Sequence, residues 1–389
     1  MTPRTPGLRG TAALASLAVL SRGADALALD WSVGAIAAQE QWLSPEFGGH
    51  GWVLVDARGR GITRRGGDLH LFLNTETLQA GVENLPLATP RLQFSAAVRA
   101  EGVYAGVLPD YRVQGRRVPG RGFWASYGYA FAALKWLPAA SHSLELVVAG
   151  RRWHFARIAD TTSPDLQLPP NTWVFEPRLR YTFWNITSPG EEWQAQVAYP
   201  RVRGVAAGVE LGADVRGDAQ PWGALAGVDD GRNRPGRVIV TARQWLRAGS
   251  QLSPRVRVQL EQNASWGHGE DDLTRPRSGG MNPYVVPVPG LAWPSLWSER
   301  LIAAQASVHL RPSLRLPHEL GVAVGAGAFS DVRRVGALDT YGGAGGVAAF
   351  ADLRFGRWQA YLRAGYAFPV AWLPGTHVSV LAGLGVRMF

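Results

Sequence analysis

The sequence contains no cysteine and a single lysine, Lys135, in 389 residues. Without cysteine there is no disulfide scaffold and no thiolate zinc site, and the eight histidines are dispersed instead of set at ligand spacing. Long apolar runs are missing too. The uncharged stretch 281–298 holds Pro283, Pro287, Pro289 and Pro294, so it cannot cross a bilayer as a helix. Charged side chains are few, at 18%, yet mean hydropathy is only −0.06, well below that of a helical membrane protein. The net charge of +10 comes from scattered arginines, with no basic face or run of the kind that binds nucleic acid. No nucleic-acid partner is expected. Outer-membrane lipid or lipopolysaccharide head groups are the expected counter-charges.

What is present begins with an export signal. Arg4 and Arg9 form a positive start, residues 11–20 an apolar core, and Ala26-Leu27-Ala28 a small-residue cleavage site. Ten apolar residues are too few to span a bilayer as a helix. Residues 1–28 are therefore expected to be a signal peptide and 29–389 one exported domain, with Ala24-Asp25-Ala26 as a second possible cut.

The mature chain alternates with period two. After Glu299, Ile302, Ala304, Ala306, Val308 and Leu310 fall on one face and Ala303, Gln305, Ser307 and His309 on the other. Trp358, Ala360, Leu362, Ala364, Tyr366 and Phe368 oppose Gln359, Tyr361, Arg363 and Gly365. Trp173, Phe175, Pro177, Leu179, Tyr181 and Phe183 oppose Glu176, Arg178, Arg180 and Thr182. Val256, Val258 and Leu260 oppose Arg255, Arg257, Gln259 and Glu261. Stretches this long, with aromatics and turn signals between them, predict a transmembrane antiparallel β-barrel of the bacterial outer membrane. Arg or Glu facing lipid near the midplane costs roughly 2–4 kcal/mol, so Glu176, Arg178, Arg180, Arg255, Arg257 and Glu261 are assigned to a polar lumen. Fourteen strands can be placed: 67–75, 91–104, 122–135, 142–155, 173–184, 192–199, 203–215, 236–247, 254–266, 299–310, 319–330, 343–354, 357–369 and 377–388. One or two more lie between residues 30 and 60. Sixteen is the expected total, since an even number puts both ends on one side, with fourteen the alternative. Phe389 is expected to serve as an aromatic assembly signal, with the barrel assembly machinery as the expected partner during biogenesis.

Residues 278–291 (SGGMNPYVVPVPGL), the strand opening at Ser298–Arg300 and residues 328–332 (AFSDV) resemble the C-terminal third of the BamA/TamA superfamily. There, a long loop opening on a Gly-Gly pair and carrying a Val-Arg-Gly-aromatic motif precedes the last five strands. Gly279 and Gly280 match, and five strands follow. Val288-Pro289-Gly290-Leu291 stands at the motif but lacks its arginine, and Asp331 stands where the family keeps a wall aspartate. The resemblance implies a long loop folded into the lumen, without the family's usual arginine clamp. It also implies a short relative without room for periplasmic repeats, so insertase activity is not carried over.

No chemistry-bearing constellation stands out. Ser307 and His309 share a strand face, but two polar lumenal residues are ordinary there. Glu270-Asp271-Asp272 and Asp229-Asp230 read as solvated acidic loop tips in preference to cation sites. Gly325 and Gly327 read as positions that let the wall curve or the long loop approach. No enzyme activity, cofactor or metal is expected. The function expected is membrane or barrel assembly or lipid remodelling, through the wall, the loops or a weak seam between first and last strands. The alternative is a passive pore for small polar or anionic solutes, and an outer-membrane lipid hydrolase is a distant third.

Overall fold

The computed structural model describes residues 30–44, 47–63, 66–74, 77–102, 112–113, 116–117, 119–186, 203–224, 233–275, 277–278, 288–289, 296–297, 300–331, 340–368 and 378–387. The expected signal peptide and Phe389 lie outside the described residues, as does the segment 192–199.

Sixteen antiparallel strands close into one barrel. They are β1 (Asp30–Ser44), β2 (Phe47–Thr63), β3 (Gly66–Asn74), β4 (Thr77–Pro86), β5 (Leu92–Gly102), β6 (Trp124–Ala139), β7 (His142–Ala156) and β8 (Trp173–Ile186). The second half comprises β9 (Gly204–Arg216), β10 (Val238–Ser253), β11 (Val256–His268), β12 (Arg300–Leu310), β13 (Glu319–Asp331), β14 (Thr340–Phe355), β15 (Trp358–Ala367) and β16 (Val378–Arg387). Among the described residues there is no helix. The expected all-β class and the count of sixteen hold, but the inventory differs. β8 pairs directly with β9. The sixteen include β4, which the sequence pattern did not mark because Gly81, Asn84 and Pro86 disguise its alternation. The tight connections β2–β3, β6–β7, β10–β11 and β14–β15 lie at the end of the wall where β1 begins and β16 finishes. The longer connections 103–123, 157–172, 217–237 and 269–299 lie at the other end.

The two faces are the predicted ones. Ile302 and Leu362 are 50% and 53% exposed on the outer wall, whereas Gln305 and Gln359 are 2% and 5% exposed inside. The polar lumenal face is closely packed at these two positions. Much of the interior is packed, and around the join of β1 and β16 it is apolar: Ile36, Ala38, Leu54, Tyr361 and Leu381 form one buried cluster. These residues come from inward positions of four neighbouring strands, and the charged Glu40 and Arg363 flank Leu381 in register on either side. The join is continuous over nine residue pairs, from Gly34↔Arg387 to Trp42↔Ser379, as many as β15 makes with β16. The first and last strands are thus paired throughout this stretch.

Candidate functional site

Loop 269–299 meets the wall on a bare patch of β13 and β14. Gly325 faces Gly346 and Gly327 faces Ala344 in register, and their inward sides carry almost no side chain. Val288, 1% exposed, and the buried Pro289 lie on this floor. A Cβ on Gly325 would stand 2.8 Å from the Pro289 Cδ, one on Gly327 3.3 Å from the Val288 Cγ2, and one on Gly346 would run into the Pro289 carbonyl. Val288 and Pro289 of the long loop thus enter the lumen, and Gly325 and Gly327 admit them. Of the expected motif, Val288 and Pro289 are placed; Gly279, Gly280, Gly290 and Leu291 lie outside the described residues, as does the Asp331 side chain.

Further round the wall, inward strand positions carry an ion-pair lattice. Arg178 reaches Glu176 at 3.0 Å and Asp214 at 2.7 Å, while Arg180 reaches Glu145 at 2.9 Å and Glu210 at 2.7 Å. Arg151 pairs with Glu176 at 2.8 Å and stacks on Tyr127 and Trp153. His70 sits between Glu83 (2.7 Å) and Asp56 (2.9 Å). Glu176, Arg178, Arg180, Arg257 and Glu261 all face inward as expected. Arg255 does not. It is an exposed residue of the β10–β11 turn, where Ser253 and Pro254 end the alternation that the sequence pattern carried through it.

At the loop end the interior is capped. Phe123, Trp153, Phe155, Leu166, Val174 and Trp222 form a buried cluster, with Phe123 and Trp222 edge-to-face at 5.6 Å. Beneath Trp222 lies the acidic triplet. Glu270, Asp271 and Asp272 are 1%, 0% and 1% exposed, so they are no solvated tip. Arg216, at the end of β9, grips Asp271 through two bonds of 2.8 and 3.0 Å, and the Trp222 indole N–H donates to the same carboxylate at 2.9 Å. Asp272 takes Arg275 at 2.5 Å and the Asn233 amide at 3.1 Å. Burial alone would raise the Asp271 pKa; the Arg216 charge and hydrogen bonds from Arg216, Trp222 and Thr274 bring it down to about 2. The loop is thus fastened by its own carboxylate to a wall arginine, a clamp made without the missing loop arginine. Asp229 and Asp230 lie outside the described residues.

Ser307 and His309 do meet. The Ser307 hydroxyl is 3.0 Å from His309 Nε2, and His309 Nδ1 is 3.4 Å from Glu319. The fourth member decides the chemistry: Arg257 stands 3.0 Å from the same Nδ1 and 2.7 Å from Glu319. A neutral imidazole accepting from Arg257 at Nδ1 carries its proton at Nε2. It then faces the serine as a donor, where a nucleophile needs a base.

Sequence reasoning missed Glu145, Glu210, Asp214 and Arg216. Arg216 and Asp271 are 55 positions apart, and no local pattern pairs them. Asp214 and Arg216 did carry a signal, since they stand on the inward register of the alternating segment 203–215 or just past it.

No protein-family model matches the chain, and no curated protein is significantly similar to it. Solved structures are. BamA from Haemophilus ducreyi lacking POTRA domains 1-3 superposes with a TM-score of 0.61 at 10% identity, over 92% of this chain and 70% of that one. CdiB from Escherichia coli gives 0.56 at 12% identity, and CdiB from Acinetobacter baumannii 0.54 at 10%, each over 92% of this chain. The chain spans only 63% and 60% of those two CdiB structures. The chain shares its barrel fold with BamA and CdiB, and that fold is the architecture of a bacterial outer-membrane protein.

Proposed function

We propose that this barrel is a plugged outer-membrane protein that acts on the membrane or on other barrels through its wall and loops, in barrel assembly or lipid remodelling. The observation that carries the reading is the seating of Val288 and Pro289 on Gly325, Gly327 and Gly346. Loop and wall are shaped for each other, and a lumen filled in this way leaves the outer surface as the place of action. The fold shared with BamA and CdiB supports the same reading. A passive pore for polar or anionic solutes has one observation in its favour: Arg180, Arg243 and Arg247 keep 40%, 43% and 40% of their side-chain surface open. Positive charge of that kind concentrates anions where it exceeds the paired Glu145, Glu210 and Glu261.

Planar-bilayer recording and proteoliposomes separate the two. Intact protein is expected to conduct little, and deletion of residues 279–291 to raise conductance. In proteoliposomes it is expected to speed lipid exchange between leaflets, or the insertion of a second barrel, relative to empty vesicles. Steady anion conductance from the intact chain, with neither acceleration, would replace this reading by the pore.

A further inference from the structure

The outward positions of the strands are apolar or uncharged, with two exceptions among the described residues: Arg152 on β7 and Arg300 on β12. Both stand toward the loop end of the wall, and each is in register with an outward tryptophan, Arg152 with Trp173 and Arg300 with Trp266. The Arg152 guanidinium carbon lies 5.3 Å from the centre of the Trp173 ring, and Trp173 is 61% exposed. Its inward neighbour Arg151 has Glu176; Arg152 has no carboxylate among the described residues. His154, two positions nearer the rim on the same outward face, is also exposed.

Tryptophans of this kind mark the membrane interface, where an outward arginine costs about 0–1 kcal/mol instead of the 2–4 kcal/mol of the midplane. An unpaired guanidinium at that level faces the phosphates of lipid head groups, which it binds through two parallel charge-assisted hydrogen bonds. Below Arg152 the wall is bare. Gly128, in register with Arg152, and Gly150 each have open space where a Cβ would stand. Ala130 and Ala132 continue the floor, with Val98 (61% exposed) rising on one side and Phe175 (49%) on the other.

We propose that Arg152 and Trp173 bind the phosphate of a membrane lipid in the leaflet at the loop end, with an acyl chain lying along the Gly128–Gly150 furrow. Arg300 beside Trp266 repeats the head-group element. This site stands on the outer wall alone, and it is independent of whether the lumen is plugged.

The test uses the full chain folded in a neutral, phosphate-free detergent and titrated with three probes: lipid A, lipid A stripped of its phosphates, and inorganic phosphate. Native mass spectrometry counts the bound species. Lipid A is expected to stay bound about tenfold more tightly than the stripped form, as one charge-assisted interaction requires. Inorganic phosphate alone is expected not to be retained. Combining Arg152→Leu with Arg300→Leu should bring lipid A down to the stripped level with folded yield unchanged, since both positions face lipid; Arg152→Gln gives the same reading should the leucines disturb folding. Equal retention of both lipids, undiminished retention by the variants, or retention of inorganic phosphate alone would each overturn the site. None of these outcomes alters the conductance by which the plugged-lumen reading is judged.

Discussion

From Trp124 to His268 the wall turns charged and aromatic side chains inward, and each lumenal arginine of β7–β9 has a carboxylate within reach. From Ala323 to Gly327 and from Ala344 to Ala348 the inward side chains shrink to Ala323, Gly325, Gly327, Ala344, Gly346 and Ala348, and Val288 and Pro289 of the loop supply what fills the space. The first region is held by charge and the second by shape. Charge pairing is unforgiving of a lost partner, because the survivor stays buried. Shape tolerates loss and fails on addition, because a packed floor has no room for a new atom. Substitutions that remove atoms should therefore hurt most in the first region, and those that add atoms in the second.

The largest expected effect comes from Asp271→Ala. It strands Arg216, 6% exposed at its side chain, and takes an acceptor from Trp222 and Thr274. Leaving one partner of a buried pair uncompensated costs about 3–5 kcal/mol. Hydrogen exchange should show the amides of 269–275 losing protection while the strand amides keep theirs. Unaltered protection there would mean that the cap is held by its aromatic cluster alone.

Next comes Ile302→Arg, which tests the face assignment that both regions share. It should destabilise the inserted barrel by roughly 2–4 kcal/mol, read as lost heat-modifiable mobility on a gel. Gln305→Arg, which the alternating pattern alone marks as harmless, should now also disturb the protein. Gln305 is 2% exposed, and its Cβ lies close to Gly325, where the loop is seated.

How far these distinctions could be read from the sequence follows from what kind of interaction makes them. Alternation reports a face, so Ile302, Leu362, Arg178 and Arg257 were legible, and so was the total of sixteen strands. It fails where local breakers interrupt it, as at Gly81 and Asn84 of β4, or where it runs on into a turn, as at Arg255. The resemblance pointed to the loop and to Val288–Pro289. What a carboxylate meets across the lumen is a property of closure, so Glu270-Asp271-Asp272 looked like a hydrated tip until β9 brought Arg216 beneath it.

The charged clamp should also be the part that acid loosens. Asp271 sits at about 2, below its ordinary value of 3.8, so the stability it contributes is fully present above pH 4. It is lost as pH falls from 4 through 2, roughly 2 kcal/mol in all. Pulsed hydrogen exchange of residues 269–275 across that window should show protection declining in the native protein. In Asp271→Ala the same pulses should find low protection with less dependence on pH. An equal decline in both would assign the acid sensitivity to Asp272 or to the wall.

The smallest effects lie on the glycine floor, and they sharpen the contrast because a single methyl separates two outcomes. Gly327→Ala places a Cβ 3.3 Å from the Val288 Cγ2, the end of a side chain that can shift by a few tenths of an ångström. The loop should stay seated, at a cost under about 1 kcal/mol. Gly346→Ala drives the same methyl into the Pro289 carbonyl and towards the Tyr366 carbonyl 2.7 Å away, both backbone and neither free to turn. Overpacking of that kind costs about 1–3 kcal/mol and is relieved most cheaply by lifting the loop off the floor. The barrel should remain folded in both variants, so the readouts are local. Limited proteolysis within residues 279–295 should speed up in Gly346→Ala and not in Gly327→Ala, and conductance should rise in the first alone. Equal behaviour of the two variants would mean that the loop is held by the Arg216 clamp at its root, with the floor merely passed over.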